Sequence, residues 1–242
     1  SYVETHDTPY GPRLVVGGCG LSESIDKAKA AGDLPARDRP GFVAFMSGGT
    51  QPGVFDFNAI FISRVDWTDS WAMTSASIEG RKQAKVLVEW LRKYIPGFER
   101  CELMATAPVL SIRDSRRIIG DYVLQGSDIL RCVVFPDRVV RAFFPLDVAG
   151  GEEHKLEEAE KPYTIPYRSF LPMGVENVLV CGRALSATQE AVGSMRVAGI
   201  SMLTGQAAGT AAALAVKAGV AARQLDVATV QAALKAQNVQ LD

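Results

Sequence analysis

The sequence predicts an α+β fold built on a mixed or antiparallel sheet, and three observations carry that prediction. Short runs that alternate apolar and polar residues, "GFVAFMSG" (41–48) and "VFDFNAIFISRVDW" (54–67), have the period of half-buried strands. A long stretch with helical spacing follows, "TDSWAMTSASIEGRKQAKVLVEWLRKYIPG" (68–97). Strands and helices then mix without regular βαβ alternation. At 242 residues the chain can bury a substantial core, in one large domain or two small ones.

In chain order, residues 14–16 read as a short strand. "SESIDKAKAAG" (22–32) reads as a helix with Ser22 or Ser24 as its cap and Gly32 as its stop. "LPARDRP" is loop, and the turn-forming "GGTQPG" between the two alternating runs predicts a hairpin. The helix over 68–97 breaks near Gly80 or runs through it, and Pro96-Gly97 closes it. Trp90, Leu91 and Tyr94 share its apolar face, with Lys82, Lys85, Glu89 and Lys93 in water. "CELMATAPVLSIRD" is extended, with Pro108 at an edge or bend. "RVVRAFFPLDV" (138–148) is a strand, "AGGEEHKLEEAEK" (149–161) a solvated loop, and "YTIPYRSFLP" (163–172) extended. "ENVLVCGRAL" (176–185) reads as a buried strand ending at Gly182. A helix of small residues follows, and "DVATVQAALKAQ" (226–237) is a last amphipathic helix capped by Asp226.

Composition narrows the function. A formal net charge of −1 argues against nucleic acid or an anionic membrane as principal partner. Four scattered cysteines without CxxC spacing read as reduced thiols of a cytoplasmic protein. His6 and His154 are the only histidines and lie far apart, so no histidine-rich metal site is expected. Residues 197–216 carry no charge and contain "GQAAG", a pattern of packed membrane helices. Ala, Gly, Ser and Thr dominate there, so a buried helix is expected and no membrane partner.

Residues "VVGGCGLSES" pose a separate question. A strand, a glycine-rich turn and a helix are how a dinucleotide site begins. Gly18 and Gly20 occupy the first two glycine places of GxGxxG, but Glu23 occupies the third. A side chain there obstructs close helix–strand packing, and its charge opposes a pyrophosphate. The stretch therefore reads as a turn into a helix.

Three later stretches carry a resemblance. They are "IRDSRRIIGDYVL" (112–124), "YTIPYRSFLPMGVENVLVCGRALSATQEAVGSMR" (163–196) and "VAGISMLTGQAAGTAAALAVKAG" (197–219). Together they resemble the C-terminal half of the FAD-dependent oxidoreductase family, and residues 64–99 resemble that family's substrate domain. More distantly, "GSMRVAGISML" is similar to the stretch that passes the flavin ring in succinate dehydrogenase and fumarate reductase flavoproteins. The resemblance implies a substrate-type α+β domain over 1–172. It implies a C-terminal strand–helix portion of an FAD-binding α/β domain over 173–242.

It also implies a site. Gly182, Arg183, Gly193, Ser194, Met195, Arg196 and Gly199 would contact FAD, with Arg113, Arg117 and Arg196 supplying charge for catalysis. Arg116, Tyr167 and Arg168 would bind substrate. An ion-pair cluster of Arg113, Arg116 and Arg117 with Asp114 and Asp121 is an equal rival reading, and the alternative for Tyr167 is a core aromatic with a satisfied hydroxyl. Relatives often place histidine where Gln189 stands, so no general base is assigned. The expected protein is then an FAD-dependent oxidoreductase fragment that passes hydride between a small organic substrate and FAD. Its FAD site would be incomplete and the fragment inactive alone. Its partners would be a missing N-terminal FAD-binding region or companion chain, with a homo-oligomer as a further option. The alternative is a non-catalytic module that keeps the scaffold and binds a ligand or partner.

Overall fold

The computed structural model describes residues 3–8, 11–16, 19–34, 45–48, 53–149 and 154–242. The chain forms two compact units, Ser1–Ser111 and Ile112–Asp242. The architecture is α+β, and among the described residues every pair of strands is a two-stranded antiparallel ladder.

In the first unit, β1 (Val3–Thr8) pairs with β2 (Gly11–Val16), and α1 (Cys19–Ala30) follows. The hairpin begins earlier than the sequence suggested, because the polar run "VETHDT" has no apolar alternation to announce a strand. Strand β3 (Phe45–Gly48) pairs with β4 (Phe55–Asn58), which bears out the expected hairpin; most of its turn lies outside the described residues. The second run is strand only to Asn58, not to 67. Helix α2 (Ser70–Tyr94) passes unbroken through Gly80, and its cap Asp69 accepts the Trp71 N–H at 2.8 Å. Ile25, Ala28, Leu87, Trp90, Leu91, Ile95 and Phe98 form the core of this unit.

The second unit is built around α3 (Gly126–Leu130), β5 (Arg138–Ala142), β6 (Leu146–Ala149), β7 (His154–Glu157) and β8 (Tyr163–Pro166). After them come α4 (Gln189–Met195), α5 (Ala198–Ala218) and α6 (Val227–Ala236). Strand β5 pairs with β8, and β6 with β7. Two expectations are corrected here. "RVVRAFFPLDV" is two strands rather than one, since Pro145 cannot donate to a ladder and breaks the run. Part of the charged stretch 149–161 is strand β7 instead of loop.

Residues 176–185 are a third correction. They bend at 176–177, where Asn177 adopts φ 57°, and then turn through a 3-10 segment, Gly182–Ala184, without forming a regular strand. Gly182 adopts φ 67°, which ends the extended run. Among the described residues of 178–181, only the Val180 N–H has a main-chain partner, the Phe170 carbonyl at 2.9 Å.

One core unites this unit. Tyr163, Ile165, Tyr167 and Phe170 pack with Leu185, Val192, Met195 and Val230. The compact units divide between Ser111 and Ile112. Burial raises the Tyr163 and Tyr167 hydroxyls from 10.0 to about 12. The folded state thus holds protons that the unfolded chain releases near pH 10, so stability falls as pH climbs from about 10 to about 12. Tyr163→Phe and Tyr167→Phe should each flatten that decline by about 2 kcal/mol, read from urea titrations across the alkaline range.

Candidate functional site

Helix α4 is short and fixed at both ends. Thr188 caps its start by accepting the Ala191 N–H at 3.4 Å, and Arg196 ends it. The residues of "GSMR" lock this helix onto the strand region 144–147. A Cβ on Gly193 would lie 2.8 Å from the Asp147 carbonyl oxygen and 3.0 Å from its carbon, so only glycine permits the approach. Ser194 donates from Oγ to the Phe144 carbonyl at 2.6 Å and shares a 2.7 Å hydrogen bond with the Tyr163 hydroxyl. Met195 is fully buried. Arg196 donates from Nη2 to Asp147 Oδ2 at 2.6 Å and to the Asp147 carbonyl at 3.3 Å.

Arg113 reaches the same carboxylate, with Nη1 3.6 Å from Oδ2. Two guanidinium groups therefore converge on one aspartate. Burial first, and then the neighbouring Arg196 charge, lower the pKa of Arg113, while Asp147 opposes the shift. Arg117 pairs with Asp114, and its charge helps hold Glu190 below the ordinary carboxylate range. The larger causes at Glu190 are its own backbone amide and the Thr188 hydroxyl. Arg116 is exposed and has no ion pair among the described residues.

Immediately after Arg196, helix α5 begins. Val197 supplies no side-chain cap, and the Cα of Gly199 faces open space. Its leading N–H groups and the positive end of its dipole are thus available to an electron-rich group. Gly182, at the start of the 3-10 segment, is tied to α5 by its N–H, which donates to Thr204 Oγ1 at 2.8 Å, with nothing crowding its Cα. Arg183 is exposed.

The expected site residues therefore divide. Arg113 and Arg196 meet at Asp147; Gly182 and Gly199 lie along the first turns of α5 with open space beside them. Gly193, Ser194 and Met195 spend their contacts on the protein itself. Tyr167 is 2 % exposed and donates its hydroxyl to the Ala222 carbonyl at 2.9 Å, as a core aromatic does. Arg168 pairs with Asp137 at 2.8 Å and lies 5.0 Å over the Tyr122 ring. Asp121 pairs with Arg223, not with the arginines of its own stretch. Sequence reasoning missed Asp147 and Thr204, because neither belongs to a spaced motif. The side chain of His154 lies outside the described residues.

These residues fit the ring end of a flavin: an uncapped helix start, two glycines with free Cα faces and a guanidinium held before the helix. For the phosphate end, Gly17 and Gly18 lie outside the described residues. Glu23 is on the water side of α1 and pairs with Lys27 at 2.7 Å, and β2 belongs to an antiparallel hairpin. A dinucleotide loop instead opens from a parallel sheet.

The model of the family described as FAD dependent oxidoreductase matches residues 3–234, nearly the whole chain, and the protein belongs to that family. No curated protein and no solved structure matches it. Helix α5 is long and apolar enough to cross a membrane by length and composition. One face of it, Ile200, Thr204, Ala207, Ala208, Ala211 and Ala215, packs into the core of the second unit.

Proposed function

We propose that the chain is the substrate-facing and ring-facing part of a flavoprotein oxidoreductase that takes a small organic substrate. The observation that carries this reading is the uncapped start of α5 with Arg196 fixed directly before it. Bound FAD would supply hydride transfer with the substrate. The chain's own residues supply charge and orientation. Arg196 and the α5 N–H groups would hold negative charge at the ring's polar edge, and Gly182 and Gly199 would leave room for a flat group. Arg113 and Arg117 flank α4 and would orient an anionic part of the substrate, with Arg116 in reach of solvent.

The adenine-dinucleotide half would come from a further region or a companion chain. What supports this is the segment Val178–Cys181, apolar on both faces as a central strand is. Among the described residues, the N–H groups of Val178, Leu179 and Cys181 have no main-chain partner. Beside them a groove of ≈ 570 Å³ is floored by Gly205, Ala208, Gly209 and Ala212. An added strand would find both hydrogen bonds and an apolar floor there.

The test is flavin retention by the full-length protein. Reconstitution with FAD should give absorbance near about 450 nm. Arg196→Ala should then weaken FAD binding about 10- to 100-fold, the range for a lost charge-assisted hydrogen bond. A colourless protein after reconstitution would sink the enzyme reading in favour of a ligand- or partner-binding module. Unchanged flavin affinity in Arg196→Ala would remove that residue from the site.

A further inference from the structure

From the contacts around α4, we infer that Asp147 is the positioning residue for Arg196. The inference rests on the flavin reading of Arg196 given above. Arginine carries a long side chain with many rotamers, so a guanidinium useful to a ligand has to be held in place. Here one nitrogen does the holding. Nη2 donates both to Oδ2 and to the main-chain carbonyl of Asp147. Arg196 Nε and Nη1 make no hydrogen bond among the described residues; their N–H groups lie on either side of the held Nη2, and each leaves a donor for an oxyanion or a ring carbonyl.

Asp147 is itself fixed from the other side. The Cα of Gly193 packs on its backbone, and Ser194 ties the same helix to the Phe144 carbonyl. Three residues of "GSMR" thus address the strand region that carries Asp147, and only the arginine keeps donors to spare. The Arg113 guanidinium on the same carboxylate limits where the Asp147 side chain can turn. Arg196 is therefore set by a carboxylate that needs no contact with any ligand.

Two measurements test this. The first needs no flavin: the ¹⁵N–¹H Nε signal of Arg196, assigned by its loss in Arg196→Lys. In the parent it should be sharp, with the order of a rigid side chain; Asp147→Asn should collapse it toward a mobile, averaged signal. Unchanged order in Asp147→Asn overturns the inference. The second is a double-mutant cycle on FAD affinity of the full-length protein, followed by flavin fluorescence. Asp147→Asn should weaken binding about tenfold, yet add less than about twofold in an Arg196→Ala background. Full multiplication of the two losses means that Asp147 acts independently, and overturns the inference. A loss in Arg196→Ala with none in Asp147→Asn overturns it while leaving the flavin reading intact. If Arg196→Ala is silent, both fall. Asp147→Glu, which keeps the charge but shifts it by one methylene, serves the same cycle should Asp147→Asn not fold; it should give the same coupling with a smaller loss.

Discussion

Phe170→Ala should destabilise the second unit by about 3–5 kcal/mol, the range for deleting a buried aromatic ring. Phe170 is 0 % exposed and lies stacked on Tyr167 with ring centroids 6.3 Å apart. Its neighbours are held by other bonds, so the void cannot close: Tyr167 is tied to Ala222, and Ser169 accepts the Ser186 N–H through its carbonyl. The Phe170 carbonyl also accepts the Val180 N–H, so the edge beside the groove should loosen together with the core. Urea denaturation followed by circular dichroism reads the loss as a lower midpoint. Phe143, 62 % exposed, is the control: Phe143→Ala should change stability by less than about 0.5 kcal/mol. Equal effects at the two positions would contradict the placement of Phe170 in the core.

Gly193→Ala should cost about 3 kcal/mol, at the upper end of what overpacking does. The added methyl would meet the Asp147 carbonyl oxygen at 2.8 Å, its carbon at 3.0 Å and its nitrogen at 3.2 Å. All three are backbone atoms, so no side-chain rotation relieves the clash. Either α4 lifts from β6 or β6 shifts, and both movements separate Arg196 from Asp147. Thermal melting should show a clearly lowered midpoint, and the Arg196 Nε signal should broaden in parallel. Gly199→Ala is the matched control, because nothing lies within 4 Å of a Cβ there. A parent-like melt for Gly193→Ala would contradict the close approach of α4 to Asp147.

Local rules made several elements legible in the sequence. Asp226 is a cap whose side chain accepts the Ala228 N–H, and its helix begins where that residue predicts. Gly32, at φ 78°, follows the end of α1 as expected of a helix stop. The apolar face of α2 and the hairpin of β3 and β4 follow from periodicity alone. Where the sequence misled, a long-range partner decided the outcome. Strand β7 sits in a charged stretch because β6 offers it a ladder, and no local signal encodes that pairing. Residues 178–181 have the apolar character of a buried strand, but among the described residues only the Val180 N–H finds a main-chain acceptor, the Phe170 carbonyl.

The candidate site shows the same division. The glycines and arginine of "GSMR" stand out in the sequence, and so does the small-residue helix after them. Which of them face the protein and which keep free donors is not written there. Gly193 serves the Asp147 backbone, Ser194 the Phe144 carbonyl, and Arg196 alone retains unused N–H groups; Asp147, 49 residues away in sequence, makes that distinction. By itself, then, the sequence determined the α+β class, the capped helices and the family, because these depend on residue type and short spacing. The tertiary structure decided the extent of each compact unit, the ladder at β7 and the pairing of Arg196 with Asp147. Those depend on contacts between distant residues, where burial and an available hydrogen-bond partner outweigh local preference.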